Sequence, residues 1–315
     1  MKTERTEFTL ASALAGANIK GVMYTPVVKA NVKAIFQIAH GMAEHKERYE
    51  EFCDFLAQNG YAVFIHDHVG HGESVNSDDE LGFFGENTGW KNLVEDCYTV
   101  SNFARAEFEK RPVIFFGHSM GSFVARAYTR LHDKKDLKGV IYCGTSGANP
   151  AAGIAIKLAD AIAKSKGNMH RSEFINTLAF GTYNKKCKPQ RTAFDWLTTD
   201  TDIVDKYVAD KYCGYLFTAC GYRDLFSVLK YVSGKDWYKN IRKDLPIFLV
   251  AGDEDPVGEY GKGVKQVAED LKKTGHTAVH TKLYKGMRHE ILNEIERQAV
   301  MNDILEWADA QIIKR

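Results

Sequence analysis

Short runs of consecutive apolar residues recur along the chain, separated by longer segments in which apolar and polar positions follow a helical spacing. Apolar runs of about four to eight residues, rich in β-branched and aromatic types, are typical of strands buried on both faces of a sheet. We therefore predict strands at 33–40, 61–67, 111–118, 137–144 and 245–255, followed by one within 276–286.

The segments between these strands have the spacing of amphipathic helices. Residues 44–58 place aromatic and aliphatic side chains on one helical face, and Gly60 stands where a helix often ends on glycine. Further helices are predicted at about 258–274 and about 289–313. Strands that alternate with helices indicate an α/β fold with a mostly parallel central sheet and helices on both faces.

The alternation is interrupted after the strand at 137–144. No comparable apolar run follows until 245–255, whereas a helix and a strand are usually joined by about 2–6 residues. We predict that 1–144 and 241–315 form the α/β core and that 145–240 is an inserted helical cap, or lid.

Composition narrows the classes of function. With 42 basic and 41 acidic residues the chain has no strong positive field, so we expect no binding to nucleic acid. A signal peptide and a membrane span of roughly 20 apolar residues are both lacking, so a cytoplasmic location is expected. The six cysteines form no CxxC pair, which favours reduced thiols over disulfides or a zinc site. We expect no cofactor and no bound metal.

The main chemical signal is a Gly-x-Ser-x-Gly motif between a predicted strand and a helical stretch. Its residues are Gly117, His118, Ser119, Met120 and Gly121. A sharp turn from strand to helix crowds the neighbours of the central serine, so glycines are required two residues away on either side. The motif therefore predicts that Ser119 is a nucleophile.

A serine nucleophile needs a base and a carboxylate that orients the base, and here they follow in the chain order Ser, Asp, His. Asp255 lies just past a predicted strand, at the edge of the sheet where catalytic groups gather. His289 follows the last predicted strand and begins the terminal helix, which places it in a loop. We predict Asp255 as the orienting carboxylate and His289 as the base.

Neighbouring residues compete for these two roles. Asp253 and Glu254 share the turn with Asp255, and we expect them to cap or solvate that turn. His276 and His280 lie before and inside a predicted strand, where a structural imidazole is more common than a catalytic one.

An oxyanion hole requires two backbone N–H groups, one from the residue after the nucleophile and one from a loop at the same edge of the sheet. Met120 supplies the first. The loop after the strand at 33–40 begins with Gly41, which permits a tight turn, and the N–H of Met42 is the candidate for the second.

Five motifs occur in order along the chain: HGMAEH (40–45), DHVGHGES (67–74), GHSMGS (117–122), GDEDPV (252–257) and GMRHE (286–290). Together they resemble the monoacylglycerol lipase and lysophospholipase family (serine aminopeptidase S33-like) of the α/β-hydrolase fold, over about residues 18–310. The resemblance implies that Met42 and Met120 form the oxyanion hole and that the insertion covers an acyl site. The chain departs from the family at Ala43, where a second glycine is common, and at Met42, which is bulkier than the usual alanine.

A histidine-rich run allows a different mechanism. His66, His68 and His71 approach a dinuclear metallohydrolase signature, but Gly70 stands where an aspartate ligand is needed. Three imidazoles could hold one zinc ion, which would make the protein a metal-dependent hydrolase. The simpler interpretation is that Asp67 and His68 brace the rim of the active site.

Within the predicted cap, residues 151–167 place Ile154, Leu158 and Ile162 on one helical face, with lysines elsewhere. Such a helix can pack inward over a pocket or contact a membrane surface peripherally. Aromatic residues of the same region are expected to be mostly core, some lining an apolar acyl tunnel: Phe174, Phe180, Phe194, Trp196, Tyr215, Phe217 and Phe226.

The sequence thus predicts a serine ester hydrolase that acts on small-molecule acyl esters, monoacylglycerols or lysophospholipid-like lipids, through an acyl-enzyme. A small-ester carboxylesterase remains an alternative, and so does a noncatalytic binding protein. An aminopeptidase is a further alternative, because Asp195, Asp200, Asp202 and Asp205 could bind a substrate amine.

Overall fold

One eight-stranded sheet organises the fold of residues 1–234 and 236–313, which a computed structural model of the protein describes. In chain order the strands are β1 (Thr3–Ala11), β2 (Asn18–Pro26), β3 (Ala34–Ala39), β4 (Tyr61–His66), β5 (Val113–His118), β6 (Leu137–Cys143), β7 (Ile247–Gly252) and β8 (Val279–Tyr284). The last six correspond to the six predicted strands, whereas β1 and β2 precede them.

The strands lie side by side in the order β1-β2-β4-β3-β5-β6-β7-β8. β2 pairs antiparallel with both β1 and β4, and all the remaining pairs are parallel. The prediction of a mostly parallel sheet is confirmed. Because the strands from β3 to β8 run in the same direction, the loops that follow them meet at one edge of the sheet.

Helices cover both faces of the sheet, as the sequence predicts. The helices are α1 (Glu50–Gln58), α2 (Gly89–Glu107), α3 (Met120–His132), α4 (Ala152–Lys166), α5 (Glu173–Phe180), α6 (Thr201–Ala209), α7 (Ala219–Ser233), α8 (Lys262–Lys273) and α9 (Arg297–Ile313). Residues of α1 and α9 pack in one hydrophobic core, and residues of α2, α3 and α8 pack in the other.

The two cores explain why the strands appear in the sequence as continuous apolar runs. Along β5, Val113 and Phe115 enter one core, whereas Ile114 and Phe116 enter the other. Successive side chains of a strand point to opposite faces, so both faces must be apolar. Each of these buried side chains contributes about 1.5–3 kcal/mol to the free energy of unfolding.

Two predicted helices begin later than their sequence patterns suggest. A short 3-10 turn at Lys46–Tyr49 precedes α1, because Asp67 accepts hydrogen bonds from the backbone N–H and the Nζ of Lys46. The terminal helix α9 begins at Arg297, since the N–H groups of His289 and Glu290 donate to carbonyl oxygens of another segment. His289 therefore lies in a loop.

The chain between β6 and β7 contains the helices α4, α5, α6 and α7. α4 packs against α7, and α7 packs against α2 and α3 of the core. The assignment of 145–240 as a cap, with 1–144 and 241–315 as the core, stays a prediction, because α7 shares its buried residues with the main hydrophobic core.

Candidate active site

Ser119 occupies the sharp turn between β5 and α3. Its backbone angles are φ 52° and ψ −120°, in a region that residues other than glycine rarely adopt. A Cβ atom on Gly117 would lie 2.2 Å from the carbonyl oxygen of Gly121. One on Gly121 would lie 2.1 Å from the carbonyl oxygen of Ala39. Both glycines are therefore required by the space around this turn.

Asp255 and His289 follow β7 and β8, so they lie at the same edge of the sheet as Ser119. Nδ1 of His289 is 3.0 Å from Oδ1 of Asp255, and both side chains are buried. The same oxygen accepts the N–H of Val257 at 2.8 Å, which fixes the carboxylate. Within the described part of the chain, Nε2 of His289 has no hydrogen-bond partner. A neutral imidazole that donates from Nδ1 to a carboxylate presents Nε2 as its proton acceptor.

The alternative residues for these two roles either have other hydrogen-bond partners or are exposed. Asp253 accepts the N–H of Gly286 at 2.7 Å, which closes the turn after β8, and Glu254 is exposed. The Nδ1 of His276 lies 3.0 Å from a backbone carbonyl oxygen, and His280 is exposed on β8.

The ring of His289 is packed beside the turn that carries Ser119. Its centroid lies 4.8 Å from that of His118 and 5.1 Å from that of Trp196. A Cβ atom on Gly144 would lie 3.0 Å from Cε1 of His289, so glycine leaves room for the imidazole. Ser119 and His289 both line the same cavity.

The loop after β3 lies directly against Ser119. A Cβ atom on Gly41 would be 3.2 Å from Cβ of Ser119, and Met42 and Met120 line the cavity with the serine. Ala43 has a φ of 49°, in the left-handed region that glycine adopts at little cost. The chain therefore departs from the family pattern at a residue whose backbone is strained.

A buried charged network joins the loops around Ser119 and His289. Arg48 donates to Glu44 at 2.5 Å and makes two hydrogen bonds of 2.7 Å to Glu290. Glu44 in turn accepts the N–H of Gly41 at 2.5 Å, and its Oε1 lies 3.4 Å from Nδ1 of His118. The network thus contacts the loop after β3, the turn that carries Ser119 and the loop that carries His289.

The charges of this network perturb one another. Burial raises the pKa of Glu44, but Arg48 and His118 outweigh burial and hold this pKa well below its usual value. Burial likewise raises the pKa of Glu290, but the charge and hydrogen bonds of Arg48, together with the charge of His118, leave this pKa lowered. For His118, burial lowers the pKa, but the hydrogen bond and charge of Glu44 leave it raised. Glu44 and Glu290 are therefore ionised over the neutral range.

The cavity has a volume of about 580 Å³. Ser119 and His289 contribute polar groups to it, and most of its remaining lining is apolar. Among the apolar lining residues are Met42, Phe123, Ile154, Leu158, Ile175, Leu178, Leu225, Leu229 and Val257.

The aromatic residues of the predicted cap divide into three groups. Phe174 is 64% exposed, and Phe217 is buried against His71 and Phe84. The remaining five line the cavity, namely Phe180, Phe194, Trp196, Tyr215 and Phe226.

The apolar helix at 151–167 corresponds to α4, but its three apolar residues do not share one environment. Ile154 and Leu158 line the cavity, whereas Ile162 packs against the core. The fully buried positions of α4 are alanines, because α7 approaches this side of the helix closely.

The histidine run lies behind the loop after β3. His66, His68 and His71 are fully buried, and among the described residues none of the three lines the cavity that contains Ser119. Asp67 accepts hydrogen bonds from Lys46 and from the N–H of Glu73, so it braces the loop that precedes α1.

Arg48 and Glu290 are the parts of the site that the sequence analysis does not identify. The spacing of Glu44 and Arg48, four residues apart, is the local signal that could have suggested a pair. Nothing local connects either residue to Glu290, which is 242 positions away from Arg48.

No helix in the described ranges is both long and apolar enough to span a bilayer.

Several known proteins are similar to this chain. Residues 30–296 match the family described as serine aminopeptidase, S33. The chain is 26% identical over 310 residues to the monoacylglycerol lipase of Mycolicibacterium smegmatis, with 98% of each sequence covered. A thermostable carboxyl esterase from Bacillus coagulans, solved in complex with glycerol, superposes with a TM-score of 0.91 at 30% identity, covering 98% of this chain and 99% of the esterase.

A monoglyceride lipase variant from Saccharomyces cerevisiae, solved with a substrate analog, gives a TM-score of 0.76 at 20% identity, with 96% and 94% of the two chains covered. These neighbours confirm the α/β-hydrolase fold.

Proposed function

Since the chain belongs to the serine aminopeptidase, S33 family and is a serine ester hydrolase of the lipase and esterase type, we propose that it cleaves monoacylglycerols or lysophospholipid-like acyl esters. The observation that carries the proposal is that Ser119 and the buried His289–Asp255 pair open into one largely apolar cavity of about 580 Å³.

In the proposed mechanism, Nε2 of His289 removes the hydroxyl proton of Ser119 while Oγ attacks the ester carbonyl carbon. Asp255 orients the imidazole and stabilises its protonated form. The N–H groups of Met42 and Met120 donate to the oxyanion that forms. His289 then gives its proton to the departing alcohol, and a water molecule repeats the cycle on the acyl-enzyme to release the fatty acid.

The apolar lining of the cavity favours a substrate with a long acyl chain over one with a small acyl group. Each methylene buried there contributes up to about 0.8 kcal/mol, so several carbons outweigh small differences in contact with the head group. Drug-sized ligands occupy pockets of about 300–1,000 Å³, so the volume suits one acyl chain with a small head group. A triacylglycerol, which has three acyl chains, is too large for a cavity of this volume.

The acidic residues that made an aminopeptidase an alternative function have partners close to them in the chain. Asp195 accepts the N–H groups of Arg191 and Thr192, and Asp200 caps α6. Asp205 pairs with Arg191. In the described structure, neither these three nor Asp202 lines the cavity. Glu44 and Glu290 do line the cavity, but both are paired with Arg48. This arrangement favours a neutral ester over an amine-bearing substrate.

We test the proposal by measuring kcat/KM for esters of two to sixteen carbons below the concentrations at which they form micelles. The values should rise with chain length and then level off where the cavity ends. Leu158→Ser should lower kcat/KM for long esters by about tenfold or more and leave acetyl esters nearly unchanged, because only a long chain contacts this position.

The matched control is Leu131→Ser, since Leu131 is an exposed leucine on α3 outside the cavity lining. An optimum at acetyl esters with a steady fall beyond them would leave a small-ester carboxylesterase instead.

We further propose that the apolar rim of the cavity rests on lipid when substrate enters. Ile154, Phe174 and Leu178 are 73%, 64% and 62% exposed, and Ile154 and Leu178 also line the cavity. Exposed lysines lie on α4 beside them, at 157, 164 and 166. An exposed apolar patch flanked by basic residues suits the surface of a membrane.

A further inference from the structure

Four imidazoles are packed together behind the oxyanion loop, away from the cavity. His40, His66, His68 and His71 are each 0% exposed. The ring centroids of His40 and His68 are 4.4 Å apart, and those of His66 and His68 are 5.0 Å apart. The proposed ester hydrolysis does not use these rings.

Among the described residues, two of the four histidines have both ring nitrogens unpaired, and His71 has its Nε2 unpaired. Among the residues that the structure describes, neither nitrogen of His66 nor either nitrogen of His68 has a hydrogen-bond partner. A neutral imidazole always carries one N–H donor and one acceptor nitrogen, and leaving a buried polar group unpaired costs about 1–3 kcal/mol. His40 differs, because its ring contacts the carbonyl oxygen of Gly41 at 2.8 Å and accepts the N–H of His68 at 3.0 Å.

The thiol of Cys97 lies beside the two unpaired rings. One nitrogen of His66, one nitrogen of His68 and Sγ of Cys97 all lie within 4.8 Å of one another, and Cys97 is also 0% exposed. Zinc binds nitrogen at about 2.0–2.1 Å and sulfur at about 2.3 Å, so donors around one ion are separated by about 3.3–3.8 Å. The three atoms are therefore at most about 1.5 Å farther apart than donors around one zinc ion.

We propose that His66, His68 and Cys97 form a structural site for one thiophilic metal ion of the zinc type. Two imidazoles and a thiolate select such an ion over magnesium or calcium, which prefer oxygen ligands. On binding, Cys97 loses its proton to solvent and the ion is held by two nitrogen lone pairs and the thiolate.

The ion would have a structural role, since it would join the end of β4 to α2. It would also restrain the oxyanion loop indirectly. The N–H of His68 donates to Nε2 of His40, which leaves Nδ1 of His40 to donate to the carbonyl oxygen of Gly41. This site departs from the sequence-based expectation of no bound metal, and it is independent of the proposed substrate.

A second group with metal-binding residue types serves as an internal comparison. His45, Asp210 and Cys213 also bring their ligand atoms within 4.8 Å of one another. Here Nε2 of His45 already contacts Asp210 at 2.8 Å, and the group is partly exposed. We assign the ion to the buried group, because its nitrogens have no such partner.

The test is to incubate the full-length protein with Zn²⁺, remove free ion by gel filtration and measure bound metal by mass spectrometry. The wild type should retain about one equivalent. Cys97→Ala should lose it, whereas Cys213→Ala should keep it. Cys53→Ala, which changes another buried helical cysteine, should also keep it. Removal of the ion with a chelator should lower the melting temperature of the wild type and leave that of Cys97→Ala unchanged.

Binding of Co²⁺ gives a second measurement. It uses the wild type, so it does not depend on whether a variant folds. Co²⁺ bound to the wild type through Cys97 should produce a thiolate-to-cobalt absorption band in the near ultraviolet. The proposal is overturned if wild-type protein retains no zinc and shows no such band, or if metal loss follows Cys213→Ala instead of Cys97→Ala.

Discussion

Arg48 and Glu290 form a bidentate ion pair, with two hydrogen bonds of 2.7 Å between guanidinium and carboxylate. Glu290 directly follows His289, and Arg48 also binds Glu44 in the loop after β3. The proposed base and the proposed oxyanion loop are therefore held by one buried cation. Parallel hydrogen bonds of this kind fix orientation as well as distance.

Replacing Arg48 with methionine should strongly destabilise the protein, because it leaves the two buried carboxylates of Glu44 and Glu290 without their cation. Breaking a buried pair in this way costs about 3–5 kcal/mol of the free energy of unfolding. Arg297→Met removes a comparable pair with Glu51 that is more exposed, and it should cost less than about 1 kcal/mol. Urea unfolding measures both, and equal small losses would contradict the role of Arg48.

The pH dependence of stability should reveal the interaction between Glu44 and His118. The lowered pKa of Glu44 makes its contribution complete above the ordinary value of 4.5, and the contribution is lost as pH falls below 4.5. The raised pKa of His118 makes its contribution complete below the ordinary value of 6.5, and this one is lost as pH rises through the raised pKa.

The difference in the free energy of unfolding between wild type and Glu44→Gln should therefore be largest between pH 4.5 and 6.5. Chemical denaturation across this range measures the difference. A difference that does not vary with pH would show that the two groups do not stabilise each other's charge.

Substituting Ala43 with glycine should relieve the strain of the left-handed backbone in the proposed oxyanion loop. A φ of 49° costs an alanine about 1–2 kcal/mol, part of which is offset by the greater freedom of glycine in the unfolded chain. Ala43→Gly should therefore raise the free energy of unfolding by up to about 1 kcal/mol. Ala161→Gly, at an exposed position inside α4, should lower it by about 1 kcal/mol. Two losses of equal size would argue against strain at Ala43.

Contact with lipid can be measured by sedimentation with mixed phosphatidylcholine and phosphatidylglycerol vesicles. Changing both Phe174 and Leu178 to serine should weaken binding by about tenfold or more, because each buried side chain contributes about 1.5–3 kcal/mol. The same change at Val27 and Val28, which are also exposed, should have little effect. If both double variants bind vesicles as the wild type does, the rim does not contact lipid.

Much of the fold could be predicted because its signals are local. The parallel strands are buried on both faces, so β5 and its neighbours appear as continuous apolar runs. The strand β1 gives no such signal, since it lies at the edge of the sheet and its side chains are largely polar and exposed. Gly117 and Gly121 could be recognised because the Gly-x-Ser-x-Gly pattern is local, although the carbonyl oxygen that leaves no room for a Cβ at Gly121 belongs to the distant Ala39.

Contacts between distant segments could not be predicted. Arg126 lies on α3 and, although arginine side chains are mostly exposed, it is 1% exposed and donates to the carbonyl oxygen of Ser146 at 2.9 Å. Cys97 approaches His66 and His68 only because α2 packs against the end of β4. Such arrangements depend on the packing of whole elements, which periodicity does not specify.

The central claim is that Ser119, His289 and Asp255 act as one catalytic unit, and covalent labelling tests it most directly. A fluorophosphonate should modify Ser119 alone, as peptide mapping would show, and Ser119→Ala should lose labelling and about 10⁶-fold in kcat. His289→Ala should lose nearly as much, Asp255→Asn about 10⁴-fold, and the matched control Asp253→Asn little. An adduct on another serine, near-native turnover by Ser119→Ala, or damage from Asp253→Asn rather than Asp255→Asn would contradict the account.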